Sequence, residues 1–141
     1  MIAKPLRLAG WALTAVVVAT VVATFFVVGS PLDARKQRAD DRRANDLSEA
    51  VNMVREYYSN KKKLPDRLAD CSSYSYRGAD LNDPQTGRPY EYRPLTKDRF
   101  EVCAIFETDT TKKPSSTYYG YTFGFDRHPK GRACFTLPAK Q

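Results

Sequence analysis

A single histidine, His128, stands in 141 residues, and this scarcity removes most imidazole chemistry at once. Any Ser-His or Cys-His scheme would have to run through that one ring. Its surroundings, Asp126-Arg127-His128-Pro129-Lys130-Gly131, have the composition of a surface turn. No GxSxG, phosphate-cradling GxxxxGK[ST], HExxH or DxDxDG pattern occurs. The chain therefore reads as a non-enzyme with no cofactor.

Cysteine is nearly as scarce. Cys71, Cys103 and Cys134 have no CxxC spacing, and an odd number leaves at least one unpaired within the chain. Cys103 and Cys134 each fall in a candidate strand, so they form the favoured disulfide. Cys71–Cys134 is the next pairing, and three buried reduced thiols are a third reading. A zinc site from Cys71, Cys103, Cys134 and His128 would need widely dispersed ligands, a weak pattern, and no metal site is assigned.

What the chain does have is one long apolar run. Ala9 to Gly29, AGWALTAVVVATVVATFFVVG, gives about twenty residues without a charge, enough at 1.5 Å per residue to match a hydrocarbon core of about 30 Å. Trp11 suits an interfacial anchor, and Lys4 and Arg7 in the short tail, residues 1–8, suit the headgroups beside it. A cleaved signal peptide fits less well: the run exceeds the usual apolar length, and cleavage after Ser30 would leave Pro31 first. The expectation is a transmembrane helix over 9–29. Setting aside Lys4 and Arg7 lowers the net charge of +7 by two, to +5, for the remainder. That charge is compatible with anionic lipid, nucleic acid or plain solubility.

Ser30, Pro31 and Asp33 form a helix-start signal at the membrane junction: a capping hydroxyl, a proline at the first helical position, and an acid placed to reach back. Residues 30–46 read as a charged, solvated juxtamembrane helix, with lipid-headgroup contact through Arg35, Lys36, Arg38, Arg42 and Arg43 as the alternative. Residues 47–141 form the expected α+β domain. In it Leu47, Ala50, Val51, Val54, Tyr57 and Tyr58 share one helical face. That helix is expected to end at Asn60, with Lys61, Lys62 and Lys63 at its negative end.

Turn residues then alternate with short apolar or aromatic runs. Leu64-Pro65 and Leu68 suggest a turn tucked under the helix, and Asp83-Pro84-Gln85-Thr86-Gly87 a tight turn. Candidate strands are Tyr90–Arg93, Phe100–Phe106, Tyr118–Phe125 and Cys134–Leu137. A helix followed by consecutive strands predicts an antiparallel sheet with the helix across one face. The strip Tyr119, Tyr121, Phe123 and Phe125, with the three lysines, could instead offer a basic and aromatic surface to single-stranded nucleic acid; packing under the helix accounts for the same alternation.

The order of these features resembles the globular part of type IV pilin-like proteins, especially the major pseudopilin of type II secretion. The resemblance runs from about Asp46 to Phe106. Its residues are the helical face 47–58, Leu-Pro-Asp-Arg-Leu at 64–68, and the hairpin Asp83, Pro84, Gly87, Pro89, Tyr90 and Tyr92. It implies a long helix packed on a small antiparallel sheet, acting through contacts with other envelope proteins at a bacterial inner membrane. The apolar run lacks the Phe-Thr-Leu-x-Glu start of pilin helices, and no Asp-rich C-terminal loop is present, so neither filament assembly nor a calcium site is carried over. Basic residues after the apolar run would place the domain in the cytoplasm; the resemblance and the disulfide favour the extracytoplasmic side. The rival function is a tethered module binding polyanions or single-stranded nucleic acid.

Overall fold

The computed structural model describes residues 3–28, 30–75, 81–112 and 123–140, with the α1 side chains described for residues 10–24. Two helices come first, α1 (Ala3–Val28) and α2 (Pro31–Lys61), followed by a 3₁₀ helix, η1 (Leu68–Tyr74). Three strands follow, β1 (Glu91–Pro94), β2 (Arg99–Phe106) and β3 (Gly131–Pro138), in one antiparallel sheet of order β1-β2-β3. The fold is thus α+β. The chain divides into two compact units, Met1–Arg35 and Lys36–Gln141.

In the first unit, α1 presents apolar side chains all round. Trp11, Leu13, Val16, Val17 and Val18 are all more than half exposed. Its threonines present little polarity, because the hydroxyls of Thr14, Thr20 and Thr24 donate to the carbonyls of Gly10, Val16 and Thr20 one turn back, at 2.9, 2.8 and 2.6 Å. Among the described residues no helix is long and apolar enough to cross a membrane. The described α1 side chains cover about 22 Å of rise, against about 30 Å of hydrocarbon. The expected span over 9–29 is therefore not reached by the described part. At the start of α2 the Ser30 carbonyl accepts from the amides of Asp33 and Ala34 at 3.0 and 3.1 Å, and its hydroxyl from the Leu32 amide at 3.3 Å.

The second unit is built around the rest of α2. Leu47, Ala50, Val51 and Val54 are fully buried, with Met53 beside them, and Tyr57 and Tyr58 pack at the margin. They meet the inner face of β2, where Phe100, Val102, Ala104 and Phe106 alternate inward. Burying a side chain of this size contributes about 1.5–3 kcal/mol each, so the shared face is the main adhesive of the domain.

The structure corrects the sequence reading in several places. The charged stretch before residue 47 is not wholly solvated, since Asp40 and Arg43 are each only 2% exposed. α2 ends at Lys61, not Asn60. Lys62 takes the left-handed conformation (φ 58°) and donates to the Tyr58 carbonyl at 2.8 Å, while the Asn60 amide donates to the Glu56 carbonyl at 2.9 Å. β3 is longer than expected, and β1 is displaced by one residue. Of the candidate strand Tyr118–Phe125, residues 118–122 lie outside the described residues and the remainder is a turn. Phe123 (φ 41°) and Gly124 (φ 82°) are two consecutive residues with positive φ, which turn the chain where the candidate strand would run extended.

His128 is likewise not on a surface turn. It is 2% exposed and stacks on Phe106 with ring centroids 3.7 Å apart, and its backbone is held by Thr110 on both sides, amide to hydroxyl at 3.0 Å and carbonyl to amide at 2.9 Å.

Candidate functional site

The hairpin motif folds around Asp83. Its carbonyl accepts from the Gly87 amide at 2.9 Å, and its Oδ1 from the amides of Gln85 and Thr86 at 2.9 and 2.8 Å. This is the Asx turn that an Asp followed by Pro favours. Gly87 sits at φ 65°, where a side chain would be strained. Pro89 bridges to Asn82, after which Tyr90 enters the core.

Arg43 of α2 joins this turn to the end of β2. Its Nε donates to Asp83 Oδ2, its Nη2 to Gln85 Oε1 at 2.7 Å, and its Nη1 to Asp40 Oδ1 at 2.8 Å. Asp40 in turn accepts from the amides of Glu107 and Thr108 at 3.0 and 2.8 Å and from the Thr108 hydroxyl at 2.7 Å. Burial alone would raise the Asp83 carboxyl, but hydrogen bonds from Arg43 and the turn amides outweigh it and hold the group at about 2. For Asp40 the same contest ends below the ordinary carboxylate value, through the Glu107 amide, Thr108 and Arg43. The network is a closed structural lock with all three charges compensated.

The two motif tyrosines extend this attachment. Tyr90 Oη donates to Asp46 Oδ2 at 2.8 Å and Tyr92 Oη to the Pro65 carbonyl at 3.0 Å. Burial, then the nearby Asp46 carboxylate, pushes the Tyr90 hydroxyl far up. It is a fixed donor across the physiological range.

A second cluster lies on the outer face of the sheet. Register places Glu91, Cys103 and Cys134 in one row across the three strands. Cys103 and Cys134 form a disulfide with Cα atoms 4.1 Å apart, as the sequence reading favoured. Cys71 is free and fully buried in the core, and burial, then Asp70, pushes its thiol up to about 12. The dispersed zinc set therefore does not assemble: two of its sulfurs are bonded to each other, and the ring of His128 lies against Phe106. Glu101, Cys103 and Cys134 do gather donor atoms within 4.8 Å, but disulfide sulfurs are not thiolates. Around them Arg93 pairs with Glu101 at 3.0 Å, and Arg132 pairs with Glu91 at 2.6 Å.

The proposed basic and aromatic surface is only partly described. Lys61, Lys62 and Lys63 are exposed at the end of α2, while Tyr119 and Tyr121 lie outside the described residues. Lys62 borders an open groove of about 770 Å³ with Arg55, Tyr58, Tyr74 and Lys140. The same groove holds Glu49 and Glu56, so its charge is mixed rather than uniformly basic. Arg55 is also engaged, with its guanidinium 4.6 Å from the centre of the Phe123 ring.

The sequence reading found the hairpin and the disulfide but missed Asp40, Arg43 and Arg132, whose roles depend on partners far along the chain. Compared with family models, curated proteins and solved structures, the chain finds no match.

Proposed function

We propose that this is a non-enzymatic, single-anchor envelope protein of a bacterial inner membrane, whose pilin-like α+β domain lies on the extracytoplasmic side and mediates contacts with other proteins. The observation that carries this reading is the attachment of the hairpin. Asp83 and Tyr90 direct their side chains to α2, and Tyr92 directs its own to Pro65 in the segment that follows α2. A motif so engaged holds a rigid scaffold together and leaves its surface for docking. The membrane part of the proposal rests on the uncharged run at 9–29 and on the exposed apolar side chains of α1. The disulfide supports an oxidising compartment.

Alkaline extraction of membranes from expressing cells tests the anchor: the full chain should stay with the lipid. Thiol labelling of intact cells tests the side. With a membrane-impermeant reagent, Cys103 and Cys134 should react only after reductant, and free thiols that stay unlabelled until the cells are lysed would overturn the extracytoplasmic placement. Heparin and single-stranded DNA binding tests the function. Micromolar affinity with a steep salt dependence would replace the protein-contact reading with the polyanion-binding one.

A further inference from the structure

The Cys103–Cys134 disulfide sits on the face of the sheet opposite the core. On β2 the inward residues are Phe100, Val102, Ala104 and Phe106, so Cys103 points outward with Glu101 and the exposed Ile105. Yet Cys103 is only 3% exposed, whereas Cys134 is accessible to solvent. The cover is an ion pair. Arg132, diagonal to Cys103 across the ladder, reaches over it to Glu91 on β1, donating through Nε and Nη2 at 3.1 and 2.6 Å. Its Nη2 also donates to Cys103 Sγ at 3.5 Å. A pocket of about 320 Å³ opens on this side, lined by Glu91, Tyr92, Arg93, Glu101, Cys103 and Arg132.

The two sulfurs are thus unequal. That of Cys134 belongs to a solvent-accessible residue, and that of Cys103 to a buried one with a guanidinium against its sulfur. We propose that the Cys103–Cys134 pair is a thiol–disulfide exchange site for an external dithiol, attacked at Cys134 with Cys103 as the leaving thiolate. The thiolate of the dithiol forms a bond to Cys134 Sγ as the Cys134–Cys103 bond breaks. The electron pair departs on Cys103 Sγ, where Arg132 stabilises the new charge. The second thiol of the dithiol loses its proton to solvent and attacks its own sulfur in the mixed disulfide, releasing Cys134 as a thiolate. Two electrons reach the cysteine pair, whose thiolates take up protons from solvent in place of those the dithiol gave up, and the dithiol becomes a disulfide.

The other charged groups around Cys103 do not reverse this polarity. Glu91 and Glu101 are each paired with an arginine, and Glu101 Oε2 is farther from the sulfur, at 3.8 Å, than Arg132. The sheet survives the reaction because the β2–β3 ladder holds seven further residue pairs, Arg99↔Pro138 to Phe106↔Gly131 without the cysteines, and α2 packs on its other face. This inference stands on the sheet alone and is independent of the membrane reading.

The test uses the full chain in detergent micelles. Brief treatment with reduced glutathione, a monothiol whose first mixed disulfide is captured by a rapid acid quench before further exchange, is followed by alkylation and peptide mapping by mass spectrometry. Glutathione is expected on Cys134 and the alkyl group on Cys103; adducts mainly on Cys103 would overturn the proposal. Opening by dithiothreitol at pH 7 is expected to slow about threefold or more in Arg132→Gln. An unchanged rate, or the faster rate that loss of a mere cover would give, also overturns it. As a readout that strain or packing alone would not move, Cys134→Ser leaves Cys103 as a thiol whose alkylation can be followed against pH. Its midpoint should rise when Arg132→Gln is added, and identical midpoints refute the role of Arg132. Cys71 does not interfere, because burial holds its thiol up at about 12.

Discussion

The two long helices treat charge in opposite ways. α1 has no charge over residues 10–24 and exposes its apolar side chains, while the first half of α2 is dense in charge and buries two of them, Asp40 and Arg43. Composition predicts the environment of α1 because no residue there is charged and the threonine hydroxyls are satisfied by the helix's own carbonyls, so whatever face is exposed is largely apolar. In α2 composition says little, because burial is decided residue by residue by partners on other elements. Arg35, Lys36, Arg38 and Arg42 remain exposed on the same helix. The lesson is that a charged helix segment is solvated only where nothing downstream folds back to meet it.

The largest effect should come from breaking the buried pair. Arg43→Ala deprives the buried Asp40 and Asp83 carboxylates of their shared cation and should cost about 3–5 kcal/mol, read by denaturant unfolding. An effect below about 1 kcal/mol would show that water substitutes for Arg43. Next, Val17→Lys in α1 should weaken retention of the chain in membranes, since a central lysine costs about 2.5–3.5 kcal/mol on insertion scales. Full retention after alkaline extraction would contradict the lipid reading of the exposed apolar face.

Acid should sharpen the comparison further. Asp83 is held at about 2 in the folded chain against an ordinary value of 3.8, so its folded pKa is depressed. The stability it supplies is present above the unfolded value and is lost as pH falls from about 4 to about 2, about 2 kcal/mol in all. Thermal melts over that window should show the loss, and Asp83→Asn should flatten it. The smallest effect belongs to Arg38→Ala, an exposed charge on the same helix, which should shift stability by no more than about 0.5 kcal/mol. A large shift there would mean that the contrast between exposed and buried charges on α2 is drawn in the wrong place.

Where periodicity or turn chemistry is local, the fold was legible. The apolar face from Leu47 to Tyr58, the turn at Asp83 to Gly87, and strands β1 to β3 all follow from spacing within about ten residues. The Cys103–Cys134 pair was legible because both cysteines stood in strand-like runs. Three features were not. Asp40 and Arg43 look like any solvated charge until Asp83, Glu107 and Thr108 meet them, 40 to 68 residues away. His128 has turn-like neighbours, yet a stack on Phe106 draws it inward, a contact that no local pattern encodes. The aromatic alternation to Phe125 suggested continuous strand, but Gly124 allows a left-handed turn just before Phe125 enters the core. Nor could spacing show that Arg132 covers Cys103, since that contact is a diagonal across two strands.

The separation between Asp40 and its acceptor site has a consequence during synthesis. Asp40 and Arg43 are made early, but the amides of Glu107 and Thr108 follow 67 and 68 residues after Asp40. At about 5–20 residues per second, Asp40 has Arg43 of its own helix as a partner but waits roughly 3 to 14 seconds for those amides. During that interval, water must solvate Asp40 and Arg43, which keeps this end of α2 from packing prematurely on the wrong surface. The same charges that lock the finished domain thus act, while the chain is growing, as a delay.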